Sequence, residues 1–589
     1  LPLLAKALDV PLHAIILKGR SNYICLTRLD WLITDAAQLL RKDEIGSLFP
    51  IIVWLHVTQT GDLSECAGFW GCRPFKVAEM IQSEPGFCTT SLCAPNDGCY
   101  FGPIRQAVQD SQVIIVNHAL LLSNMNNPGL LPEYETVIID EAHNLVDVAY
   151  DQLTLEVNMF KVNAILDIID PKTTSAKRWT QKIEMLFDDN PEIKMHYKAL
   201  QTGCETSRKN GLEFFNDLAN SITDRINDKV PYPQHIMLEN LLEGYNNVFP
   251  QIQEFELALA EVSEALKGIL NQLQQLDPGK EELGEMNQLF ERSLEAIVAL
   301  QTEIALLTHD QQNSWVYWQQ GQYRQGRGRE KDLHVSVNGA PIDIAEDLSN
   351  KYFQSIKQCV LTSATLRVEE SFDYFLQRTG LAFLDNEDVH TMEFHSPFYY
   401  EDQVRYYQFQ GKNGQNPSLI ADVIYECHER YGKRIMALFT SRQALNNVYH
   451  ELMNKPLGRK LPVFAQVSGT SRYAMLKGMH RTKNGILLGT NAFWEGVDLP
   501  RDLLEILIIS KLPFSVPTAP RVQAYSNMLQ QQGRNSFMEF SVPEAVIRFR
   551  QGFGRLIRTI EDAGLFIVMD ERVVYKRYGS AFSDVIPVR

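Results

Sequence analysis

The residues with the most evident chemistry lie in one short stretch. Residues 137–143 read Val-Ile-Ile-Asp-Glu-Ala-His, so an apolar run leads into two adjacent carboxylates and a histidine. A strand buried in a parallel sheet would deliver Asp140 and Glu141 to its carboxyl end, where α/β folds build their sites. There one carboxylate can hold Mg²⁺ through water, and the other can polarise an attacking water. The stretch therefore predicts a site for metal-assisted attack by water.

Three later segments carry related chemistry. Leu361–Thr365 places hydroxyls after a predicted strand, and Gly489–Asp498 places glycines and two carboxylates after another. In Gln551–Arg558, Arg555 and Arg558 are three residues apart, which predicts two guanidinium groups on one helix face. Paired guanidinium groups suit the spread charge of a transferring γ-phosphoryl group. Each segment has an ordinary structural explanation, but four in this order are hard to obtain by chance.

Composition sets broad limits. A chain of 589 residues predicts three or four domains. No signal peptide stands at the start, and no run of 18 or more apolar residues occurs, so we expect no membrane span. A net charge of −16 argues weakly against nucleic-acid binding over the whole protein surface. A local basic track is still compatible with it, and the best candidates are Arg548, Arg550, Arg555 and Arg558.

The elements that must position these residues are strands and helices in alternation. Short apolar runs predict strands of a parallel α/β fold at 14–17, 113–116, 137–139, 358–361, 435–439, 485–488, 506–509 and 565–569. Between 151 and 310 the pattern is helical. Two heptad seams, from Ile252 to Leu276 and from Leu283 to Leu307, flank Asp277-Pro278-Gly279. They favour an intramolecular antiparallel hairpin over a dimerising coiled coil.

Residues 318–331 are rich in Gln, Gly and Arg and predict a mobile loop. The alternative is a single-strand contact, in which Arg324, Arg327 and Arg329 act beside Trp315, Tyr317 and Trp318.

The nine cysteines are unevenly placed, and six fall within the first 99 residues. An odd count without a signal peptide favours reduced thiols and a metal site over disulfides. The segment that holds these six, 25–102, predicts an irregular region with little apolar core of its own.

Four of these segments together resemble a known family. Asp140–His143, Thr362–Thr365, Phe493–Asp498 and Gln551–Arg558 match motifs II, III, V and VI of superfamily-two helicases. The particular residues of these motifs resemble those of the DinG/YoaA branch of the XPD-like iron–sulfur DNA helicases. Supporting stretches are Gly19–Cys25, Val116–Leu121 and Lys511–Phe514.

The resemblance implies two RecA-like motor domains that hydrolyse Mg-ATP between them and unwind DNA 5′→3′ in repair or replication. Asp140 would be linked to Mg²⁺, Glu141 would orient the attacking water, and His143 would connect the site to the second motor domain. Ser363 and Thr365 would couple hydrolysis to DNA movement. The remaining implied nucleotide contacts are Glu495, Gly496, Asp498, Gln551 and the arginine fingers Arg555 and Arg558.

The resemblance also implies an iron–sulfur cluster, most simply 4Fe-4S, on Cys25, Cys88, Cys93 and Cys99. Four cysteines can also form a structural zinc site, but paired Cys-x-x-Cys knuckles are absent. Cys66 and Cys72 are not required by the family pattern, and we interpret them as buried thiols or, less favourably, substitute ligands.

The implied architecture divides the chain into six segments. They are the first motor domain at 1–24, the iron–sulfur insert at 25–102, the first motor domain again at 103–150, a helical arch at 151–330, the first motor domain at 331–398, and the second motor domain at 399–589. Single-stranded, forked or flapped DNA would be the partner of a monomer in the bacterial cytoplasm, associated with the nucleoid.

The family's phosphate loop is not found. Gly-Lys occurs at 279–280, 411–412 and 432–433, and no pair precedes Ser or Thr. We expect an N-terminal truncation of roughly one hundred residues, and we expect residues 1–589 alone to show no DNA-stimulated ATPase. A nucleic-acid-binding scaffold with an inactive motor, or a helicase fused to an upstream nuclease, are the alternatives.

Overall fold

The computed structural model describes most of the chain. The residues outside the description are 1, 35, 73, 84–98, 127–128, 174–175, 231, 240, 277–280, 311, 326–330, 386, 457, 468–471, 495–503 and 587–589. The strands of the described part are β1 (Ala14–Ile16), β2 (Val113–Ile115), β3 (Thr136–Ile139), β4 (Leu155–Asn158), β5 (Gln234–Leu238), β6 (Trp315–Gln325), β7 (Lys331–Pro341), β8 (Gln358–Leu361), β9 (Val404–Gln408), β10 (Ile435–Leu438), β11 (Val463–Ala465), β12 (Ile486–Gly489), β13 (Ile506–Ile509) and β14 (Gly564–Val568).

Helices occupy most of the remaining described residues. The α-helices are Pro2–Leu8, Leu26–Thr34, Ala36–Leu39, Lys42–Gly46, Leu48–Leu55, Ala67–Gly71, Phe75–Ile81, Phe101–Gln109, His118–Asn126, Leu145–Leu153, Met159–Ile169, Lys177–Glu184, Pro191–Ile222, Leu241–Tyr245, Phe249–Gln275, Glu281–Thr308, Ala345–Lys351, Asp373–Thr379, Tyr400–Gln403, Pro417–Tyr431, Arg442–Met453, Arg472–Arg481, Asn491–Trp494, Pro520–Gln531, Val542–Phe553, Arg572–Tyr575 and Gly579–Ser583. Among the described residues, no helix is long and apolar enough to cross a membrane.

The chain forms two compact units, each built from two stretches of sequence. The first unit contains residues 1–134 and 148–341, and the second contains residues 135–147 and 342–589. The Asp-Glu-Ala-His stretch therefore belongs to the same unit as the C-terminal half of the chain. The six-segment domain division stays a prediction.

The second unit contains a six-stranded parallel sheet in the order β11-β12-β10-β13-β14-β9. Every residue of β10, β12 and β13 is buried, as expected of parallel strands covered on both faces. The strands predicted at 435–439, 485–488, 506–509 and 565–569 are confirmed. The two edge strands β9 and β11 were not predicted, because β9 contains no continuous aliphatic run and β11 is only three residues long.

A second parallel pair in this unit, β3 and β8, carries the chemistry-bearing stretch. Ile139 lies opposite Leu361, so both strands end at the same edge. The predictions of strands at 137–139 and 358–361 are confirmed.

The first unit contains the predicted long helices. Phe249–Gln275 and Glu281–Thr308 pack together, and the seam residues from Ile252 to Leu273 are buried. A third helix, Pro191–Ile222, packs along Phe249–Gln275, so the two seams belong to a larger helical cluster. The turn at 277–279 lies outside the described residues.

The prediction of a loop at 318–331 is wrong for its described residues. β6 and β7 pair antiparallel from Trp315 to Pro341 within a four-stranded sheet. Tyr317 and Trp318 are buried in it, so they are unavailable for base stacking. The aromatic residues and the alternation of Leu333, Val335 and Val337 outweighed the Gln- and Gly-rich composition.

The prediction of an irregular cysteine-rich segment is also wrong where the segment is described. Several short helices between Leu26 and Ile81 enclose their own apolar cluster, which includes Ile51, Phe69 and Val77, all essentially inaccessible to solvent. Cys66 belongs to this cluster. The apolar residues are spread over short helices, which made the core hard to recognise in sequence.

Candidate active site

The site is organised by the ends of β3 and β8. Beyond the paired strands, the Thr362 N–H donates to the Ile139 carbonyl at 2.9 Å, and the Ala142 N–H donates to the Thr362 carbonyl at 3.0 Å. These bonds hold the Asp-Glu-Ala-His turn against the Thr-Ser-Ala-Thr turn. The two predicted motifs are therefore brought together by backbone contacts.

Asp140 and Glu141 are presented outward at this edge. Asp140 is exposed, and its Oδ1 accepts the Glu141 N–H at 2.9 Å. Glu141 has a left-handed backbone, with φ 50° and ψ 42°, and its side chain is 63% exposed. A non-glycine residue in this region is uncommon, and such strain concentrates at functional sites. The turn places both carboxylates where a cation and a water can approach.

His143 connects the two motifs through its side chain. Its Nδ1 lies 2.7 Å from the Ser363 Oγ and 3.4 Å from the Glu141 Oε2. Ser363 in turn lies 3.2 Å from the Thr365 Oγ1 and accepts the Thr365 N–H at 3.2 Å. Thr365 is buried. A polar chain therefore runs from Glu141 through His143 and Ser363 to a side chain inside the fold.

A small cleft of about 50 Å³ adjoins this chain of contacts. The residues that line it come from the turn after Glu141, the helix Asp373–Thr379 and the helix Val542–Phe553: His143, Asn144, Val146, Asp147, Tyr374, Phe375, Arg378, Glu544, Ile547, Arg548 and Gln551. Among the described residues, the Gln551 Oε1 is buried without a hydrogen-bond partner. An unpaired buried acceptor is costly, so this amide is poised to accept a hydrogen bond.

The prediction that Arg555 and Arg558 share a helix face is wrong. The helix ends at Phe553, where Gly552 and Gly554 weaken it, and both arginines lie beyond its end. Arg555 is buried, and its Nε and Nη2 donate to the Trp494 carbonyl at 3.0 and 2.6 Å. Arg558 is exposed.

The structure does not form the predicted basic track. Arg548 pairs with Glu544 and Asp147, Arg550 donates to the Arg367 carbonyl at 2.7 Å, and Arg555 is buried. Only Arg558 of the four is exposed. Three of these arginines bind the protein's own groups, so their proximity in sequence did not produce a surface groove. Glu495, Gly496 and Asp498 lie outside the described residues.

In the first unit, the neighbours of the two described candidate thiols, Cys25 and Cys99, contact a common region. The Ile24 N–H donates to the Gly61 carbonyl at 2.9 Å, next to Cys25. The Gly61 backbone packs so tightly on the Tyr100 ring, next to Cys99, that an added Cβ would lie 2.2 Å from it. The rings of Tyr23 and Phe101 have centroids 5.4 Å apart.

Further contacts surround these residues. The Cys99 Sγ accepts the Gly102 N–H at 3.4 Å. The Ser83 N–H donates to the Tyr23 carbonyl at 2.8 Å, two residues before Cys25. Cys88 and Cys93 lie outside the described residues. Among the residues described, no group of three or more metal-ligating side chains occurs.

The two additional cysteines behave differently from each other. Burial raises the pKa of the Cys66 thiol, whose Sγ lies 3.7 Å from the Pro50 carbonyl. Cys72 is exposed. The contacts of Cys66 agree with its interpretation as a buried thiol.

Comparisons with known proteins show that the chain resembles helicases. A family model described as helicase C-terminal domain matches residues 424–589, and the DEAD_2 model matches residues 88–162. A solved structure named XPD_Helicase superimposes with a TM-score of 0.50 at 13% identity, covering 99% of this chain and 87% of that one. The fold is thus the mixed α/β fold, with parallel sheets, of XPD-like helicases.

Among helicases, the sequence relatives of this chain include proteins named DinG and YoaA. Over its whole length the chain is 28% identical to the ATP-dependent DNA helicase YoaA of Haemophilus influenzae and spans 83% of that protein. It is also 28% identical to the 3′-5′ exonuclease DinG of Bacillus subtilis, of which it spans 63%. The chain is related along its length to the DinG/YoaA helicases, and the resemblance drawn from the four motifs is confirmed.

Sequence reasoning missed Asp147 and Arg521. The Arg521 Nη2 donates to the Asp147 Oδ1 at 2.6 Å. The two residues are 374 positions apart in sequence, so no local pattern connects them. The only available signal was that Asp147 follows His143 by one helical turn.

Proposed function

We propose that this protein is an ATP-dependent DNA helicase of the DinG/YoaA type that moves 5′→3′. The observation that carries the proposal is the turn after β3, where Asp140 and Glu141 face outward and His143 is bonded to Ser363. Full-length similarity to YoaA supports the same reaction.

In this mechanism Asp140 would hold the Mg²⁺ that accompanies ATP, and the ion would supply positive charge to the phosphates. Glu141 orients the attacking water and accepts its proton. Glu141 has a left-handed backbone, and its carboxylate is 63% exposed. Both roles require exposed carboxylates, which the turn supplies.

We assign coupling to the polar chain of His143, Ser363 and Thr365. A change in the charge near Glu141 alters the hydrogen bonding of His143, whose Nδ1 is within reach of both Glu141 and Ser363. Ser363 passes the change to Thr365 at the end of β8. We infer that this chain reports the state of the nucleotide to the segment that follows β8.

Among the remaining assignments, Arg558 is exposed and is proposed to contact the γ-phosphate. Arg555 fixes the Trp494 carbonyl, next to the proposed nucleotide contacts Glu495, Gly496 and Asp498. Gln551 is proposed to receive a hydrogen bond across the cleft.

The test compares Glu141→Gln with the unchanged protein, both expressed from the complete coding sequence. We expect DNA-stimulated ATP hydrolysis to fall by about 10²-fold or more, because removing a general base typically costs that much. Unwinding of a forked duplex with a 5′ single-stranded tail should be lost in parallel. A duplex with only a 3′ tail should not be unwound by either protein.

Glu135→Gln is the matched control. Glu135 lies in the same segment, is exposed, and pairs with Lys357 at 3.0 Å away from the turn. It should leave hydrolysis unchanged within about twofold.

A protein that binds DNA without hydrolysing ATP would instead indicate a scaffold with an inactive motor. Residues 1–589 alone should hydrolyse little ATP, since none of their Gly-Lys pairs precedes Ser or Thr.

We propose that Cys25, Cys88, Cys93 and Cys99 hold an iron–sulfur cluster. The supporting observations are the proximity of the neighbours of Cys25 and Cys99 and the N–H bond to Cys99 Sγ. Anaerobic absorption spectra with iron, sulfide and zinc analysis should give iron and sulfide in equal amounts and little zinc. Stoichiometric zinc without sulfide would identify the alternative site.

The finer biological assignments rest on the same proposal. Single-stranded DNA, and forked or flapped DNA, would be bound by a monomer acting in repair or replication in the bacterial cytoplasm, at the nucleoid. The helices between 151 and 310 would form the arch over the DNA, and the sheet of β9–β14 would be the second motor domain.

A further inference from the structure

Asp147 connects the catalytic turn to a distant part of the sequence. It lies one helical turn after His143, on the helix that begins at Leu145. Its Oδ1 accepts a hydrogen bond from Arg521 at 2.6 Å, and its Oδ2 lies 3.9 Å from the Arg548 Nη2. The turn is thus held at one end by Ser363, through His143, and at the other by two arginines.

Arg548 extends the contact to the helix that carries Gln551. It lies 3.5 Å from Glu544 and also donates to Ser515, whose hydroxyl donates to Glu544 at 2.6 Å. Arg548 and Gln551 are three residues apart on the helix Val542–Phe553, and both line the cleft. Asp147 therefore has a direct charge contact with the helix that carries Gln551, which lines the same cleft as His143.

Arg521 is anchored on a second wall of the cleft. Its helix, Pro520–Gln531, also contains Tyr525, over which the Arg378 guanidinium lies at 4.0 Å from the ring centroid. Arg378 belongs to the helix Asp373–Thr379 and is 3.7 Å from Asp343. The contacts connect the catalytic turn, through Asp147 and Arg521, to the cleft wall formed by the helix Asp373–Thr379.

The ion pairs of Asp147 with Arg521 and Arg548 are suited to repeated opening. Side-chain exposures of 43% for Asp147, 28% for Arg521 and 23% for Arg548 leave the pairs in contact with water. Ion pairs of this kind are individually weak and sensitive to salt. A contact of that strength can break and re-form in each catalytic cycle, which a fully buried apolar interface could not do.

We propose that Asp147 is a positioning residue, a charge latch that sets the catalytic turn against the helix bearing Gln551 and couples ATP hydrolysis to strand separation. The latch rests on the proposed helicase function. It acts through His143 and Gln551, and Asp147 itself touches neither nucleotide nor DNA in this role.

The test measures base pairs unwound per ATP hydrolysed, with Asp147→Asn and Arg521→Gln in the protein expressed from its complete coding sequence. Each single variant should lower this ratio by about fivefold or more, within the usual range of coupling between sites. The double variant should fall no further than Asp147→Asn, because that substitution already removes the contact with Arg521. ATP turnover should decline less than unwinding, and Asp147→Glu should restore part of the ratio.

Glu539→Gln is the matched control. Glu539 pairs with Arg534 at 2.6 Å, the same distance as the Asp147–Arg521 pair, but it does not line the cleft. The ratio should be unchanged in this variant. In the unchanged protein the ratio should fall as salt is raised, whereas in Asp147→Asn it should be nearly independent of salt.

Hydrogen exchange separates failure of the latch from failure of the proposed function. The amides of residues 142–147 should exchange about fivefold faster in Asp147→Asn than in the unchanged protein, whether or not either hydrolyses ATP. An unchanged protein that neither hydrolyses nor unwinds overturns the helicase function, and exchange then decides the latch. An active protein whose Asp147→Asn variant keeps both its ratio and its exchange rates overturns the latch alone.

Discussion

Two strands of the second unit end in the same pair of residues. Ile139 at the end of β3 is followed by Asp140 and Glu141, and Met569 after β14 is followed by Asp570 and Glu571. Both strands are parallel members of their sheets. The sequence pattern that first indicates an active site therefore occurs twice.

The two pairs have opposite environments. Asp570 is completely buried and accepts bonds from the Leu512 N–H at 2.9 Å and from the Arg572 Nη2 at 2.6 Å. Glu571 accepts the Gly414 N–H at 3.1 Å and has a right-handed backbone, with φ −61°. Asp140 and Glu141 are exposed, and Glu141 is left-handed.

The difference teaches that the residues after the pair decide its role. Arg572, two positions after Asp570, folds back to neutralise it and turns the carboxylate into a structural tie for the Lys511–Phe514 loop. After Asp140 and Glu141 come Ala142 and His143, and the His143 Nδ1 lies 3.4 Å from the exposed Glu141 carboxylate instead of folding back on a buried aspartate. The supporting sheets differ too, since Phe566 in β14 is fully buried while Ile138 in β3 is 70% exposed.

The largest expected difference between the two regions is in their strands. Phe566→Ala should destabilise the second unit by about 3–5 kcal/mol, the usual cost of truncating a buried aromatic side chain. Phe566 packs against Tyr406, Phe549 and Phe553. Hydrogen exchange of the β14 amides would measure the loss.

Ile138→Ala is the matched truncation in the other strand. It should cost less than about 1 kcal/mol, because its side chain is largely in water already. Equal losses at the two positions would mean that the face of β3 bearing Ile138 is covered in solution, and the contrast between the strands would fail.

The sequence allowed the fold and the candidate turn to be predicted where apolar periodicity was strong. The strands β10, β12, β13 and β14 and the two long seam helices were all identified, since continuous apolar runs and heptads have few alternatives. The Gln-, Gly- and Arg-rich composition of residues 318–331 predicted a loop, although β6 and β7 pair as antiparallel strands there. The core among the short helices of the cysteine-rich segment was missed because no single helix has a long apolar face.

Side-chain partners were the least predictable part of the site. The contacts Arg521–Asp147 and Arg550–Arg367 join residues 374 and 183 positions apart. Arg555 carries the same charge as Arg558, but it lies inside and bonds the Trp494 carbonyl. A guanidinium group has the same sequence signature whether it faces a substrate or a backbone carbonyl, so only the fold distinguishes the two.

A smaller difference is expected at the aspartates. Burial alone would raise the pKa of Asp570, but hydrogen bonds from Arg572 and the Leu512 N–H outweigh it and lower that pKa below its ordinary value. A carboxyl with a depressed folded pKa stabilises the fold above its unfolded pKa, and it loses that contribution as pH falls through the folded pKa. Asp570→Asn should therefore cost about 2–3 kcal/mol at pH 7, since it leaves Arg572 without its partner charge.

Measured from neutral pH down past about pH 4, the unfolding free energy of the unchanged protein should contain an acid-dependent loss that Asp570→Asn lacks. Asp140→Asn is the comparison, and at pH 7 it should change stability by no more than about 0.5 kcal/mol, because Asp140 is exposed. Equal losses in the two variants at pH 7 would contradict the distinction between a buried structural aspartate and an exposed one.

The smallest effect should be at the glutamates, and its sign should differ between them. Asn tolerates the left-handed region better than Glu does, so Glu141→Asn should relieve strain and stabilise the second unit by about 0.5 kcal/mol. Glu571→Asn should destabilise it slightly, because Glu571 has a right-handed backbone and loses its bond to the Gly414 N–H. Hydrogen exchange at β3 and β14 would measure both changes.

The same Glu141→Asn variant should lose ATP hydrolysis. A gain in stability with a loss of activity is expected where a strained residue takes part in catalysis. A destabilised Glu141→Asn would show that the turn favours glutamate for its contacts, and the argument from backbone strain to function would not hold.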